Sequence, residues 1–186
     1  MVTINQAQLR RAVPEVCREE IDSFVASFNQ WAIHFGLTTP KRVVHYLAQV
    51  FHESGALRYT EEIASGEKYE WRKDLGNTQP GDGKRFKGRA YIQLTGRFNY
   101  EKFNKFDLCM KDIVNHPEEV AKFPLNQIAS MWFWQTHKLN EVADLDDGGK
   151  IGEDIVTRIT RKVNGGINGL SQRKLYYRRF KKEFGI

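Results

Sequence analysis

Apolar residues recur at steps of three and four along most of the chain, the period of helices that bury one face. Ile21, Phe24, Val25, Phe28, Trp31 and Ala32 form one such stripe and predict a helix over 18–35 that Gly36 stops. Thr39 as N-cap and Pro40 at the first position open another in TTPKRVVHYLAQVFHESG. Its inward stripe is Val43, Tyr46, Leu47, Val50 and Phe51, and Gly55 ends it. Thr3 is placed to cap a short helix over 4–12. Further helices are expected at 117–123, at the apolar run LNQIASMWFWQTH (125–137), at 151–163 through Ile151, Ile155, Ile159 and Val163, and at 170–184. Only FKGRAYIQLT, residues 86–95, reads as extended, and Gly81, Gly83 and Gly88 favour turns around it. The pattern predicts a mainly α fold with at most a small β-hairpin. No repeat and no Gly/Ser/Pro linker interrupts it, so residues 1–186 are expected to form one domain.

Composition narrows the class. With 186 residues, 40% hydrophobic and 12% aromatic, the chain can build a core and is neither collagen-like nor low-complexity. Cys17 and Cys109 are too few for a disulfide framework, and neither has a Cys or His at zinc-finger spacing, so no metal and no cofactor is expected. No run reaches the 18 or so apolar residues of a membrane span, and MVTINQAQLRRAVPEV lacks the apolar stretch of a signal peptide. A protein made in the cytoplasm follows, with another agent needed for any export. Net charge is +6, but residues 161–186 alone carry +7. Such an end suits an acidic partner (nucleic acid, anionic lipid or bacterial wall) or is a solvated helix face.

Glu53 carries the sharpest chemical signal. It continues the stripe 43, 46, 50, 53, so its carboxylate points toward the apolar side at the edge of the core. Loss of solvation raises a carboxyl pKa, the property a general acid needs near neutral pH. His52 and Glu53 do not form a zincin motif, because Ser54, Gly55 and Ala56 follow where the second histidine is required. A partner carboxylate would come from RYTEEIASGEKYEWRKD, where Glu61, Glu62, Glu67, Glu70 and Asp74 are all available. The stretch GDGKRFKGRAYIQLTGRFNY lacks the Walker order of a phosphate loop. It instead offers a sugar-binding wall, with Gln93, Thr95 and Asn99 as polar groups and Tyr91 and Phe98 as flat faces. In the last helix Arg173, Tyr177, Phe180 and Phe184 step by 4, 3 and 4, so Arg173 faces inward and calls for a carboxylate partner.

These residues carry a resemblance. HESGALRYTEE, then YEWRKDLGNTQPGDGKRFKGRAYIQLTGRFNY, then VNGGINGLSQRKLYYRRF, resemble glycoside hydrolase family 19 in the right order over roughly residues 40–183. The branch most similar is that of the chitinase-like lysozymes that bacteriophages encode as endolysins. The resemblance implies an α-rich, lysozyme-like fold with a cleft and an inverting hydrolysis of β-1,4 links between N-acetylhexosamines. Glu53 matches the general acid. Glu62 is indicated as the second carboxylate, with Glu70 in reserve. Thr95 matches the residue that helps hold the attacking water. Gln93 and Asn99 match substrate contacts, Asn164 matches the asparagine of the family's NGG, and Arg173 matches a cleft arginine. Ala90 replaces a usual glycine, Tyr91 a usual Pro or Leu, Trp71 a usual glycine of this branch, and the cysteines of the plant enzymes are missing.

The expectation is thus a monomeric endolysin that cleaves peptidoglycan glycan strands. It would be held in the host cytoplasm until a holin-type membrane partner releases it, with no stable membrane insertion and no nucleic-acid partner. For an inverting pair the two carboxyls should stand about 6.5–9.5 Å apart. A chitinase is the nearest alternative. A non-catalytic basic domain binding wall or nucleic acid through Tyr176, Tyr177 and Phe180 is the other.

Overall fold

Caps and stripes set the helices. Asn5, rather than Thr3, caps α1 (Gln6–Ala12): its side chain accepts from the Gln8 amide and Gln8 reaches back in a capping box. The helix expected over 18–35 is shorter, α2 (Ile21–Trp31). Beyond it Gly36, at φ +70, lets the Leu37 N–H reach back 2.9 Å to the Ala32 carbonyl, closing the end as a tight turn. Thr39 and Pro40 do open α3 (Pro40–Glu53).

The computed structural model describes residues 2–149 and 151–186 and forms two units, Met1–Arg58 with Phe133–Ile186, and Tyr59–Trp132. In the first unit α3 is the central helix. Val43, Val44, Tyr46, Leu47, Ala48, Val50 and Phe51 are all at 0% exposure. Its most extensive partner is α9 (Leu170–Phe184), and it also meets α7 (Leu139–Ala143) and α8 (Gly152–Asn164). Edge-on aromatic pairs lock the core: Phe51 lies 5.4 Å from Phe24 and 5.3 Å from Phe180, and Tyr46 lies 5.3 Å from Trp134.

The second unit relies on short helices and polar pins. It holds 3-10 turns at Glu67–Tyr69, Lys73–Leu75 and Pro117–Ala121, and α4 (Asp82–Arg85) and α5 (Arg97–Asn104). The unit boundary falls within α6 (Leu125–Thr136). The buried Asp82 carboxylate accepts from the Thr78 and Gln79 amides at 3.0 Å and pairs with Arg97 at 2.5 Å. Burial alone would raise its pKa, but Arg97 and the two amides hold it below the usual carboxylate range. The extended stretch at 86–95 closes on itself at once. Arg89 and Leu94 exchange backbone bonds of 3.0 and 2.6 Å across a turn, with Ala90 at φ +66 and Gln93 at φ +60. Among the described residues the protein is therefore helical with two isolated β-bridges. Both cysteines are free thiols, and no group of three His, Cys, Asp or Glu among these residues could hold a metal.

Candidate active site

Glu53 ends α3, and its side chain is 17% exposed. Arg173, one turn into α9 and 1% exposed, places Nη2 2.5 Å from Glu53 Oε1. Its Nη1 donates to Gln49 Oε1 at 2.5 Å, and its Nε to the Asn168 carbonyl at 3.1 Å. Gln49 lies one helical turn before Glu53 and is fully buried. Its amide nitrogen donates to Thr160 Oγ1 at 3.3 Å, and that hydroxyl donates onward to the Val156 carbonyl. Burial lowers the Arg173 pKa while Glu53 opposes that, so the charge is kept by its carboxylate partner. The inward arginine called for by the sequence thus meets the inward glutamate.

The loop before α9 completes this group. Asn164 Oδ1 accepts from the Gly166 amide at 2.8 Å, and its amide donates to the Asn168 carbonyl at 3.2 Å. Asn164 therefore shapes the turn that delivers the Asn168 carbonyl to Arg173. Gly169, at φ +68, lies so close to the His52 ring that any Cβ would collide with it. His52 bonds to Gln172 at 2.7 Å. Burial and then the Arg173 charge hold its imidazole below its ordinary pKa.

The second unit gathers the other predicted groups around Gly88. The Glu62 amide donates to the Gly88 carbonyl at 2.8 Å, and the Gly88 amide to Glu62 Oε2 at 3.4 Å. A Cβ on Gly88 would run into Gln93 Oε1 and stand 3.3 Å from Thr95 Oγ1. Glu62, Gln93 and Thr95 therefore share one small neighbourhood. Glu62 Oε1 accepts from Lys68 Nζ at 2.7 Å and from the Tyr69 hydroxyl at 3.2 Å. Burial would raise the Glu62 pKa, but these two donors outweigh it and hold the carboxyl below its usual range. Thr95 Oγ1 donates to the Gln93 carbonyl and Asn99 to the Thr95 carbonyl, both at 2.8 Å.

Three expectations change. Tyr91 is 1% exposed, so its ring packs inside and offers no open face to a sugar, whereas Phe98 is 59% exposed. Glu70 is committed elsewhere: its two oxygens accept from the Gly81 and Gly83 amides at 2.7 Å each, tying a loop to the start of α4. Tyr176, Tyr177 and Phe180 are all buried and cannot stack on bases. Gln49, Lys68 and Tyr69 were not singled out from the sequence, and Gly88 was marked only as a turn residue. The i−4 relation of Gln49 to Glu53 on a buried helix face is the signal that identifies the first of them.

The fold is that of the helical, lysozyme-like glycoside hydrolases. It aligns with a crystal structure of a bacterial family 19 chitinase at TM-score 0.68 and 20% identity, covering 98% of this chain and 95% of that one. Chitinase C from Streptomyces griseus HUT6037 aligns at TM-score 0.62 and 19% identity, covering 98% and 76%. The chain belongs to glycoside hydrolase family 19: residues 21–146 match the family model described as chitinase class I. A glycosyl hydrolase family 19 domain-containing protein of Haemophilus influenzae is 30% identical over 165 residues, 72% of this chain and 75% of that protein. An endochitinase of Arabidopsis thaliana is 34% identical over 173 residues, 88% of this chain and 55% of its own length. The chain thus spans about half of that plant enzyme.

Proposed function

We propose that this family 19 glycoside hydrolase is a phage-type endolysin that cleaves β-1,4 links in the glycan strands of bacterial peptidoglycan. The observation that carries the glycosidase chemistry is the mostly buried carboxyl of Glu53 in contact with a fully buried arginine. In this reading Glu53 is the general acid that protonates the glycosidic oxygen. Arg173 fixes the carboxyl and balances its charge once the proton has left. Glu62 directs water onto the opposite face of the anomeric carbon, with Thr95 helping to hold that water, and the anomeric configuration inverts. Gln93, Asn99 and the Asn164 turn are assigned to substrate contact and its support. The +6 net charge supports an anionic wall as substrate. No described helix is long and apolar enough to cross a membrane. Release by a separate holin-type partner, and action as a monomer, are parts of the same proposal.

A second reading, hydrolysis of chitin, is favoured by the Arabidopsis relative named as an endochitinase. Parallel digestion of purified peptidoglycan and colloidal chitin separates the two, and mass spectrometry of the products identifies the bond. Glu53→Gln keeps the shape and the hydrogen bond to Arg173 but has no proton to give. Its rate on the cleaved polymer should fall by about three orders of magnitude or more. A rate near wild type overturns the assignment of Glu53.

A further inference from the structure

Trp71 is the one tryptophan among the described residues that stands well out in solvent, at 58% exposure. Trp132 and Trp134 are at 4% and 0%, and Trp31 is half-buried. Its backbone is at φ +59, a left-handed conformation that bulky side chains avoid. An exposed indole gains little from packing, so its presence on a strained turn is not explained by stability. Strain of this kind persists where the surroundings enforce it, and ligand clamps are a common place to find it.

The turn is held from both sides. Immediately before Trp71, the Glu70 carboxylate grips the Gly81 and Gly83 amides at 2.7 Å. After it, the Arg72 carbonyl accepts from the Leu75 and Asn77 amides, and the buried Asn77 side chain ties the Tyr69 carbonyl to the Arg97 amide at 2.8 Å each. Gly83 fits only because it has no side chain: a Cβ there would stand 2.6 Å from the Glu70 nitrogen and 2.8 Å from the Gly66 carbonyl oxygen. The backbone that presents the indole is therefore pinned on both sides.

A cavity of about 370 Å³ lies beside this turn, lined by Glu67, Glu70, Gly81 and Lys84. Its lining carries two carboxylates, Glu67 and Glu70, against one ammonium, Lys84. Lys84 pairs with Glu67 at 2.8 Å, and both Glu70 oxygens hold backbone amides. The surplus negative charge disfavours an anion, and the lining offers hydrogen-bonding edges for hydroxyl and amide groups beside apolar carbon surface. An exposed indole on the turn that borders this hollow suits a pyranose ring, which is apolar on its C–H face and polar at its rim.

We propose that Trp71, with the Glu67–Lys84 pair and the Glu70 loop, forms a sugar subsite for an uncharged N-acetylhexosamine unit of the polymer. The subsite rests on the glycan-hydrolase reading above and adds to it the residue that grips the strand. The test compares the full-length wild type with Trp71→Gly and Trp71→Phe. Initial-rate kinetics on soluble glycol chitin and on uncrosslinked peptidoglycan strands are read together with thermal melting. Trp71→Gly should raise KM on the cleaved polymer about five- to tenfold with little change in kcat, while its melting temperature stays level or rises because glycine relieves the strain. Trp71→Phe, which keeps a ring, should recover most of the lost affinity. A KM within twofold of wild type for Trp71→Gly, on a polymer that is cleaved, overturns the subsite and leaves the proposed function standing. A lower melting temperature with kcat and KM lost together shows a structural role and also overturns it. If the wild type neither binds nor cleaves either polymer, the glycan reading and the subsite fall together.

Discussion

Arg173 meets Glu53 across 120 positions of sequence, with Nη2 2.5 Å from Oε1 and the guanidinium 1% exposed. Breaking a buried pair from one side leaves the other charge uncompensated, which typically costs 3–5 kcal/mol. Glu53 retains 17% exposure and can recruit water, so about 2–4 kcal/mol is expected for Arg173→Ala. Arg173→Lys keeps the charge but cannot fork to Gln49 and Glu53 together. Chemical denaturation should rank wild type above Lys above Ala. Both variants should lose hydrolytic rate, and equal stability of Ala and wild type would refute the pairing as a structural element.

Gln49 sets the direction of that fork. Its oxygen takes Nη1 of Arg173 and its nitrogen is held by Thr160, so the second arm of the guanidinium is left for Glu53. Gln49→Leu leaves a buried guanidinium arm unsatisfied and should cost about 1–3 kcal/mol. Gln49→Glu adds a carboxylate that competes with Glu53 for the same cation. It should lower kcat more than it lowers stability. The discriminating measurement is the pH–rate profile: with Glu53 as the acid, Gln49→Glu should move its alkaline limb, whereas a residue that only fills space would not.

Glu62 and Glu70 lie eight positions apart and separate by experiment. Glu62 holds two side-chain donors and sits at Gly88 beside Gln93 and Thr95. Glu70 is occupied with two loop amides. Glu62→Gln should fold with near wild-type melting and lose at least about a hundredfold in rate. Glu70→Ala should lose melting temperature, at a cost of about 1–3 kcal/mol for its charged hydrogen bonds. Rates normalised to folded protein should fall less for Glu70→Ala than for Glu62→Gln. The reverse order would make Glu70 the second carboxylate.

The helical half of the molecule could be read from the chain because its elements announce themselves locally. Thr39–Pro40 opens α3, and five consecutive stripe positions from Val43 to Phe51 are buried as the period requires. Glu53 and Arg173 were visible because both sit on such stripes. In the second unit α5 buries only Tyr100 and Phe103 of its eight residues, too few to mark a period. Much of the order there comes from buried polar pins, Asp82, Asn77 and Arg89, and from positive-φ positions that no hydrophobic pattern encodes. Ala90 shows the limit well: the sequence marked it only as a departure from glycine, and the reason, a φ of +66, lies in the fold. Gln49 escaped notice because a glutamine on an apolar stripe reads as a gap until its partner from α9 is in place.

His45 predicts how the first unit responds to acid. It is fully buried, its Nε2 lies 2.9 Å from Asp146 Oδ2, and its Nδ1 has no partner. Tyr177 donates to the same Asp146 oxygen at 2.7 Å. Protonating the ring would place an N–H at Nδ1 with nothing to accept it. Burial accordingly holds the His45 pKa below the ordinary imidazole value, against the pull of Asp146. The unfolded chain therefore takes the proton first. Stability from this group is complete above the unfolded pKa of about 6.5 and drains as pH falls below it, by up to about 1.4 kcal/mol per pH unit until the folded ring titrates. His52, also depressed, acts in the same direction more weakly because it is less buried. His45→Gln can still donate to Asp146 from the position of Nε2 but cannot titrate. Between pH 7.5 and 5.5 the melting temperature of His45→Gln should fall less steeply than that of wild type. Parallel slopes would mean that the ring is already charged, or hydrated, in the folded protein.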